Sequence, residues 1–209
     1  MSEVWNKVYK SDSTFFGEQP SNFALLCFNH MKANNATKVL ELGAGHGRDT
    51  TFFASNGIEV EALDYSVAAV EILDKIAKQK RLPIKPQIFD VKNSLPFPDG
   101  NFNAVYSHML LNMKFSLDEL YFIFSEIRRV LKPKGLNFFS VRNHNDDDKS
   151  YGQGREIDKG IYDINGFQIR FFTEKELQDL TTEGGFELLW IKEEYEEPVT
   201  LYLASSRKI

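Results

Sequence analysis

The sequence is poor in cysteine, in long apolar runs and in net positive charge, and each shortage excludes a class of protein. Cys27 is the one cysteine among 209 residues, which rules out an internal disulfide or a cysteine zinc site and favours a reducing cytoplasm. No apolar run is long enough to span a bilayer. A net charge of −5 disfavours attraction to nucleic acid or to an anionic membrane. The first residues, Met1 to Trp5, lack the charged-then-apolar order of a signal peptide.

What is present is typical of a globular protein, with 42% hydrophobic and 26% charged residues. A chain of 209 residues suits one domain and can bury roughly 70% of its unfolded surface. The 18 phenylalanines predict an aromatic-rich core or pocket. We therefore expect a single domain over 1–209. Within it, residues 1–36 form a helical unit before the first strand of the sheet, and residues 143–172 form an insertion.

The stretch from Lys38 to Asp49 organises the rest of the chain. A short apolar run over 39–42 contains Glu41 and is followed by glycines at positions 43, 45 and 47. This order is typical of a buried parallel strand that enters a tight turn and then a helix. Glycine allows positive φ and lets a ligand approach the backbone, so a ligand can lie across this turn.

The glycine spacing distinguishes between two kinds of ligand. A dinucleotide fingerprint needs glycine at the first, third and sixth positions of the loop, and the sixth position from Gly43 is the bulky Arg48. Glu41 would also repel a pyrophosphate, whereas it suits a ligand that carries an ammonium group. A tight strand-to-helix turn without a ligand is the structural alternative.

The pattern Glu41-x-Gly43-x-Gly45-x-Gly47 resembles the first motif of the class I S-adenosylmethionine (SAM) methyltransferases. In that family the acid and the glycine turn hold the methionine part of SAM, whose product is S-adenosylhomocysteine (SAH). The resemblance implies a doubly wound, seven-stranded, mainly parallel α/β sheet. It also implies that Glu41, Gly43, Ala44 and Gly45 contact the cofactor, and that His46 touches its carboxylate.

Two further acids follow predicted strands. The segment from Ile58 alternates like a strand and stops at Asp64, 21 residues after Gly43, where a doubly wound sheet places a carboxylate on ribose hydroxyls. A third strand from Ile84 ends at Asp90 and Val91, which the resemblance assigns to adenine. Each acid alone is also compatible with helix capping or a surface position. The predicted cofactor set is completed by Tyr65, Ser66 and Ser107, with Ser66 also a helix N-cap.

The N-terminal unit is aromatic and precedes the sheet. Trp5 and Tyr9 have helical spacing, and a second helix is predicted from about Asn22 to Lys32. Aromatic faces attract a cation by roughly 0.5–2 kcal/mol. We therefore expect Tyr9, Phe15 and Phe16 to be lid residues over the sulfonium, with packing of the N-terminal helices onto the core as the alternative.

The acceptor side is predicted after the fourth and fifth strands. His108 follows the strand Phe102–Ser107 and is a candidate general base or donor to the acceptor, or a buried support of the pocket. Arg142 and Arg170 would favour an anionic acceptor, although surface pairing also explains them. The irregular region 143–170 is expected to be a lid. Its aspartates Asp146, Asp147 and Asp148 lack metal-ligand spacing and predict a solvated loop, and no metal site is expected.

The remaining chain predicts two capped helices and three strands. Ser116 with Glu119 and Thr173 with Glu176 are capping boxes. A fifth strand is expected over Leu136–Val141, and a C-terminal antiparallel hairpin over 186–191 and 199–204. The acidic segment 193–198 is expected to be the exposed turn of that hairpin.

These patterns predict a SAM-dependent methyltransferase that acts on a small molecule by in-line methyl transfer, without nucleic-acid or membrane partners. The residues 47–49, 54–57 and 62–64 resemble the branch of tellurite-resistance and thiopurine methyltransferases. A non-catalytic SAM-binding module remains an alternative, as does an NAD-dependent oxidoreductase, which shares the fold.

Overall fold

A computed structural model describes residues 2–12, 15–144 and 154–209. The described helices are α1 Ser2–Ser11, α2 Asn22–Ala33, α3 Arg48–Ser55, α4 Val67–Lys80, α5 Leu117–Val130 and α6 Glu174–Glu183. The strands are β1 Lys38–Leu42, β2 Glu59–Asp64, β3 Ile84–Ile88, β4 Phe102–His108, β5 Leu131–Arg142, β6 Arg155–Asp158, β7 Ile161–Ile164, β8 Phe167–Arg170, β9 Phe186–Glu196 and β10 Val199–Lys208. No described helix has the length and apolarity needed to cross a membrane.

Seven strands form one sheet in the order β3-β2-β1-β4-β5-β10-β9. The five strands from β3 to β5 are parallel, and β10 is antiparallel to both β5 and β9. The predicted fold class, including the C-terminal hairpin, is confirmed. Because β1 pairs with both β2 and β4, the chain direction across the sheet reverses beside β1, and ligands bind at the carboxyl edge of such a switch point.

Phenylalanine fills both faces of this sheet. Phe138 and Phe139 are consecutive in β5, so their side chains lie on opposite faces, and both are fully buried. Phe139 packs with Phe124 of α5, whereas Phe138 belongs to the cluster that contains Phe23 of α2 and Phe53 of α3. The aromatic-rich core predicted from composition is therefore present, and it holds helices on both sides of the sheet.

Both predicted capping boxes form. The Ser116 side chain accepts from the Glu119 amide while the Glu119 carboxylate accepts from the Ser116 amide, and Thr173 and Glu176 do the same. Ser66 caps α4 through the amide of Ala69, as expected. These caps fix where α4, α5 and α6 begin, and α4 begins at the edge that carries the cavity.

The region 154–170 is more regular than the sequence analysis predicted. Its strands β6, β7 and β8 form a small antiparallel sheet. The turn between β7 and β8 is Asn165-Gly166, with φ values of 53° and 87°, which is the favoured two-residue hairpin turn. That dipeptide was a signal in the sequence for this hairpin. The predicted solvated loop of Asp146, Asp147 and Asp148 lies outside the described residues.

The prediction of an exposed acidic turn over 193–198 is wrong. Strand β9 continues to Glu196, which pairs with Val199 of β10, so that only Glu197 and Pro198 form the turn. Strand pairing over ten residues of β10 overrides the high charge of this segment, because alternate acids can face solvent on one side of the hairpin. As a result Glu196 is half-buried rather than exposed.

Candidate functional site

A cavity of about 1330 Å³ opens at the carboxyl edge of the parallel strands. Thirteen of the sixteen predicted site residues line it: Tyr9, Phe16, Glu41, Gly43, Ala44, Gly45, His46, Asp64, Tyr65, Asp90, Val91, His108 and Arg142. The lid candidate Phe15 lines it as well. The fold therefore brings residues from the N-terminal helix, from four parallel strands and from the loops that follow them to one wall.

The other three predicted site residues lie outside the cavity wall. The Ser66 amide donates to Asp64 Oδ1 at 2.8 Å, so Ser66 supports that carboxylate from behind. Ser107 is completely buried within β4. The Arg170 guanidinium lies 5.8 Å from the centre of the Phe172 ring and is itself buried. An acceptor in the cavity would meet Arg142 of this predicted pair of arginines and not Arg170.

The glycine turn uses its amides internally. The amides of Gly43 and Ala44 both donate to the carbonyl of Leu63, at 2.8 and 3.0 Å. The Gly45 amide donates to Asp64 Oδ2 at 2.8 Å. Phosphate-binding turns instead point free amides at the ligand. The amides of residues 43–45 are therefore not available to a phosphate, and the Asp64 carboxylate lies beside the turn.

Buried carboxylates surround the same turn. Glu41 accepts a hydrogen bond from Thr50 Oγ1 at 2.6 Å, and burial together with the nearby Asp49 raises its pKa well above the ordinary value. Burial also raises the pKa of Asp64, although the amides of Ser66 and Gly45 oppose that shift. A positively charged ligand in the cavity would favour the ionised form of both groups.

Asp49 belongs to a different, fully satisfied group beneath the turn. Its carboxylate accepts from the amide and hydroxyl of Ser21 and from the Tyr106 hydroxyl, at 2.7 to 2.9 Å. These bonds tie the start of α2 to the start of α3. Asp49 therefore explains the position of α3, while Glu41 and Asp64 are the acids with capacity to receive a ligand.

The N-terminal segment lies over the glycine turn. A Cβ atom added to Gly45 would lie 2.5 Å from the Tyr9 hydroxyl, so this glycine makes room for the tyrosine. The Arg48 guanidinium donates to the Phe16 carbonyl at 2.8 Å, and His46 Nε2 lies 2.9 Å from the Gly17 carbonyl. Two side chains of the turn thus hold the backbone that follows α1.

Helix α1 is also attached to the helix that follows Asp64. The side-chain oxygen Oδ1 of Asn6 accepts from Ser66 Oγ at 2.8 Å and from the Ala68 amide at 3.2 Å. Trp5 contacts Phe167 of β8, with the ring centres 5.4 Å apart. The cavity is therefore covered by α1 on one side and by the small antiparallel sheet on the other.

The acceptor side contains a polar chain centred on His108. His108 Nδ1 lies 2.6 Å from Ser140 Oγ, and Nε2 lies 3.1 Å from Glu196 Oε2. Glu196 Oε1 also accepts from Arg48 at 2.8 Å. Burial opposes ionisation of Glu196, but its bonds to His108 and Arg48 lower its pKa to about 2.

Sequence reasoning missed Glu196 because its partners are remote in the chain. Arg48 precedes it by 148 residues and His108 by 88. The one available signal was the alternating pattern of β9, which extended to Glu196 but was interpreted as ending at Ile191. Among the described residues, no cluster of three or more His, Cys, Asp or Glu side chains has an arrangement that could hold a metal ion.

Comparisons with known proteins find the same fold and a family match that includes the glycine turn. Residues 39–135 match a family model described as a methyltransferase domain. An uncharacterized methyltransferase of Synechocystis is 30% identical over 115 residues, which cover 54% of this chain and 51% of that relative. The chain thus spans about half the length of this curated relative.

Two solved structures have the same fold. A SAM-dependent methyltransferase from Methanosarcina mazei superposes with a TM-score of 0.73 at 22% identity, covering 82% of this chain and 92% of the other. The 1,6-didemethyltoxoflavin-N1-methyltransferase of Burkholderia thailandensis, solved with its substrate and SAH, gives a TM-score of 0.75 at 20% identity, covering 99% and 86%. The family match over residues 39–135 agrees with the resemblance predicted from the motif at positions 41–47, and the two solved structures confirm the fold.

Proposed function

We propose that this chain, whose residues 39–135 match a methyltransferase domain, is a SAM-dependent methyltransferase that acts on a small-molecule acceptor. The observation that carries the proposal is the glycine turn. Its amides are bound internally while Glu41 and Asp64 remain buried beside the cavity, so the turn suits a cationic ligand without phosphate. SAM is a nucleoside of that kind.

The cofactor contacts follow from the positions of these residues in the wall. Glu41 and the backbone carbonyls of the glycine turn would receive the methionine ammonium, His46 would receive its carboxylate, and Asp64 would accept from the ribose diol. A carboxylate has about four lone-pair sites, so Asp64 retains capacity for the ribose beside its backbone donors. Asp90, Val91 and Tyr65 would surround the adenine, and Tyr9 and Phe16 would cover the sulfonium.

When bound, SAM supplies an already activated methyl group. In-line transfer of that methyl group to an acceptor lone pair would leave SAH as the product. The residues of this chain would therefore bind, align and shield the two reactants. Alignment alone can supply roughly 7–11 kcal/mol in well-ordered systems. His108 and Arg142 line the acceptor side, and Arg170 would act only from behind Phe172.

A small acceptor is supported by the covered cavity and by the acidic balance of the chain. The contact between Trp5 and Phe167 bridges the two covering elements, which narrows access for a folded protein or a nucleic acid. The Burkholderia structure of the same fold holds bound 1,6-didemethyltoxoflavin. A cytoplasmic location and kinship with the tellurite-resistance and thiopurine branch stay predictions.

Calorimetric titration with SAH tests the proposal, with NADH fluorescence as the parallel arm. We expect SAH to bind with one site per chain and NADH to leave its fluorescence unchanged. Binding of NADH with no heat from SAH would replace the proposal by the oxidoreductase alternative.

The acceptor class requires a second experiment. Transfer of labelled methyl from SAM to a cell extract, separated by molecular size, should place the label in the small-molecule fraction. Label in protein or RNA would reject the acceptor class, and SAH binding without any transfer would favour a non-catalytic SAM-binding module.

A further inference from the structure

We propose that Glu196 is a positioning residue of this site, because its single carboxylate holds His108 on the acceptor side and Arg48 on the lid side. The inference rests on the proposed function for its catalytic meaning. The geometry itself is a continuous chain of contacts from the N-terminal segment to β5. Glu196 is its central member, at the end of the strand that was not expected to reach the cavity.

The contacts of His108 with Ser140 and Glu196 determine which ring nitrogen of His108 carries the proton. The Met109 amide donates to Ser140 Oγ at 2.9 Å, which leaves the Ser140 hydroxyl free to donate to His108 Nδ1 at 2.6 Å. His108 Nε2 then carries a hydrogen and donates to Glu196 Oε2 at 3.1 Å. In the opposite tautomer, a bare Nε2 would face a carboxylate across 3.1 Å, and two lone pairs would repel each other.

This arrangement has a consequence for the reaction. Both ring nitrogens of His108 are engaged, Nδ1 as acceptor and Nε2 as donor, so the ring has no free lone pair for a proton from the acceptor. His108 therefore forms a fixed wall instead of the general base that the sequence also allowed. The ring is held further by Phe23, whose centre lies 5.7 Å away.

The contacts of Arg48 connect Glu196 to the N-terminal segment that carries the lid residue Phe16. The Arg48 guanidinium donates through Nη2 to Glu196 Oε1 and through Nη1 to the Phe16 carbonyl, both at 2.8 Å. The Arg48 and Glu196 side chains are only 14% and 21% exposed, so solvent screens this pair less than an ordinary surface ion pair. Loss of the Glu196 charge would leave Asp49, 3.7 Å from Arg48 Nε, as the remaining acid beside Arg48, and would weaken the hold of Arg48 on the Phe16 carbonyl over the cofactor.

Glu196→Gln tests the contact with His108 and the contact with Arg48, and Glu194→Gln is the matched control. Glu194 lies two residues earlier on the same strand and is absent from the described residues that line the cavity. Protein labelled with ¹⁵N-histidine reports the protonation of each ring nitrogen, and His108→Asn identifies the signals of this residue. The measurement on the unmodified chain needs no substitution, so it decides which nitrogen of His108 is protonated even if a variant misfolds.

In the unmodified chain we expect a protonated Nε2 and a bare Nδ1 on His108. Glu196→Gln should change these signals, because an amide can donate as well as accept and no longer selects one form, whereas Glu194→Gln should not. A bare Nε2 in the unmodified chain would overturn the proposal, and so would His108 signals that are unchanged in Glu196→Gln.

SAH calorimetry tests the link from Glu196 through Arg48 to the N-terminal segment at Phe16. Glu196→Gln should bind SAH roughly two- to ten-fold more weakly than Glu194→Gln, the size expected for a partly buried ion pair. Equal affinities would overturn the link. If the unmodified chain binds no SAH, the proposed function fails, but the nitrogen signals of the ligand-free protein still decide the role of Glu196.

Discussion

The amide of Gly45 donates to Asp64 Oδ2 at 2.8 Å, so the carboxylate at the end of β2 fixes the glycine turn that follows β1. Two residues that the sequence assigns separately to the cofactor are thus one structural unit. The same bond orients Asp64 toward the cavity and prevents the turn from presenting that amide to an anion.

This unit gives a test at Asp64. Asp64→Asn keeps the shape of the side chain but removes the charge, and we expect SAM and SAH affinity to fall by about 10- to 100-fold, the loss of one or two hydrogen bonds to a charged group. Calorimetry measures the affinity and circular dichroism checks the fold. Asp74→Asn on α4, which removes a carboxylate from an exposed pair with Lys78, should leave affinity unchanged. Unaltered SAH binding in Asp64→Asn would remove this residue from the site.

Gly45→Ala tests the contact between the turn and the lid. Gly45 has a φ of 55°, and an added Cβ would meet the Tyr9 hydroxyl at 2.5 Å. We expect this variant to displace Tyr9 and to bind SAH less tightly. Gly57→Ala is the control, since Gly57 has a φ of 85° but open space around it. Both should lose roughly 1–2 kcal/mol of stability from left-handed strain, and only Gly45→Ala should lose affinity. Equal SAH affinity in the two variants would contradict the lid.

Cofactor binding should be coupled to proton release by Glu41. Burial and Asp49 raise the pKa of this carboxyl, and a bound ammonium would lower it again, so binding expels a proton. The affinity for SAH should therefore fall as the pH drops through the raised pKa. Calorimetry in two buffers of different ionisation enthalpy measures the released proton. Glu41→Gln should reduce the release, with Asp64 supplying the remainder, whereas Glu71→Gln at an exposed position of α4 should leave it unchanged.

Glu196 should stabilise the fold in a pH-dependent way. Because its pKa is lowered from 4.5 to about 2, its contribution is fully present above the ordinary value and is lost as the pH falls toward 2. Urea unfolding of the native chain and of Glu196→Gln should show the largest difference in unfolding free energy near neutral pH, with convergence on acidification. A difference that stays constant between pH 6 and pH 3 would show that ionised Glu196 is not the source.

Local patterns in the sequence predicted much of this fold. The glycines after β1, the acids that end β1 and β2, and the caps at Ser66, Ser116 and Thr173 are all determined within a few residues, and the structure has them where expected. The seven-stranded sheet was implied by the resemblance to class I methyltransferases, and the alternation of predicted strands and helices agrees with it. The small sheet over 154–170 was missed although its Asn165-Gly166 turn was visible.

The sequence by itself determined the residue types at the carboxyl edge, because strand ends and tight turns are set by neighbouring residues. Only the tertiary structure decided which of them share a wall. It excluded Ser66, Ser107 and Arg170 from the cavity and added Glu196, whose partners lie 148 and 88 residues away. Hydrogen bonds across such separations depend on strand order and register, and those are properties of the whole folded chain.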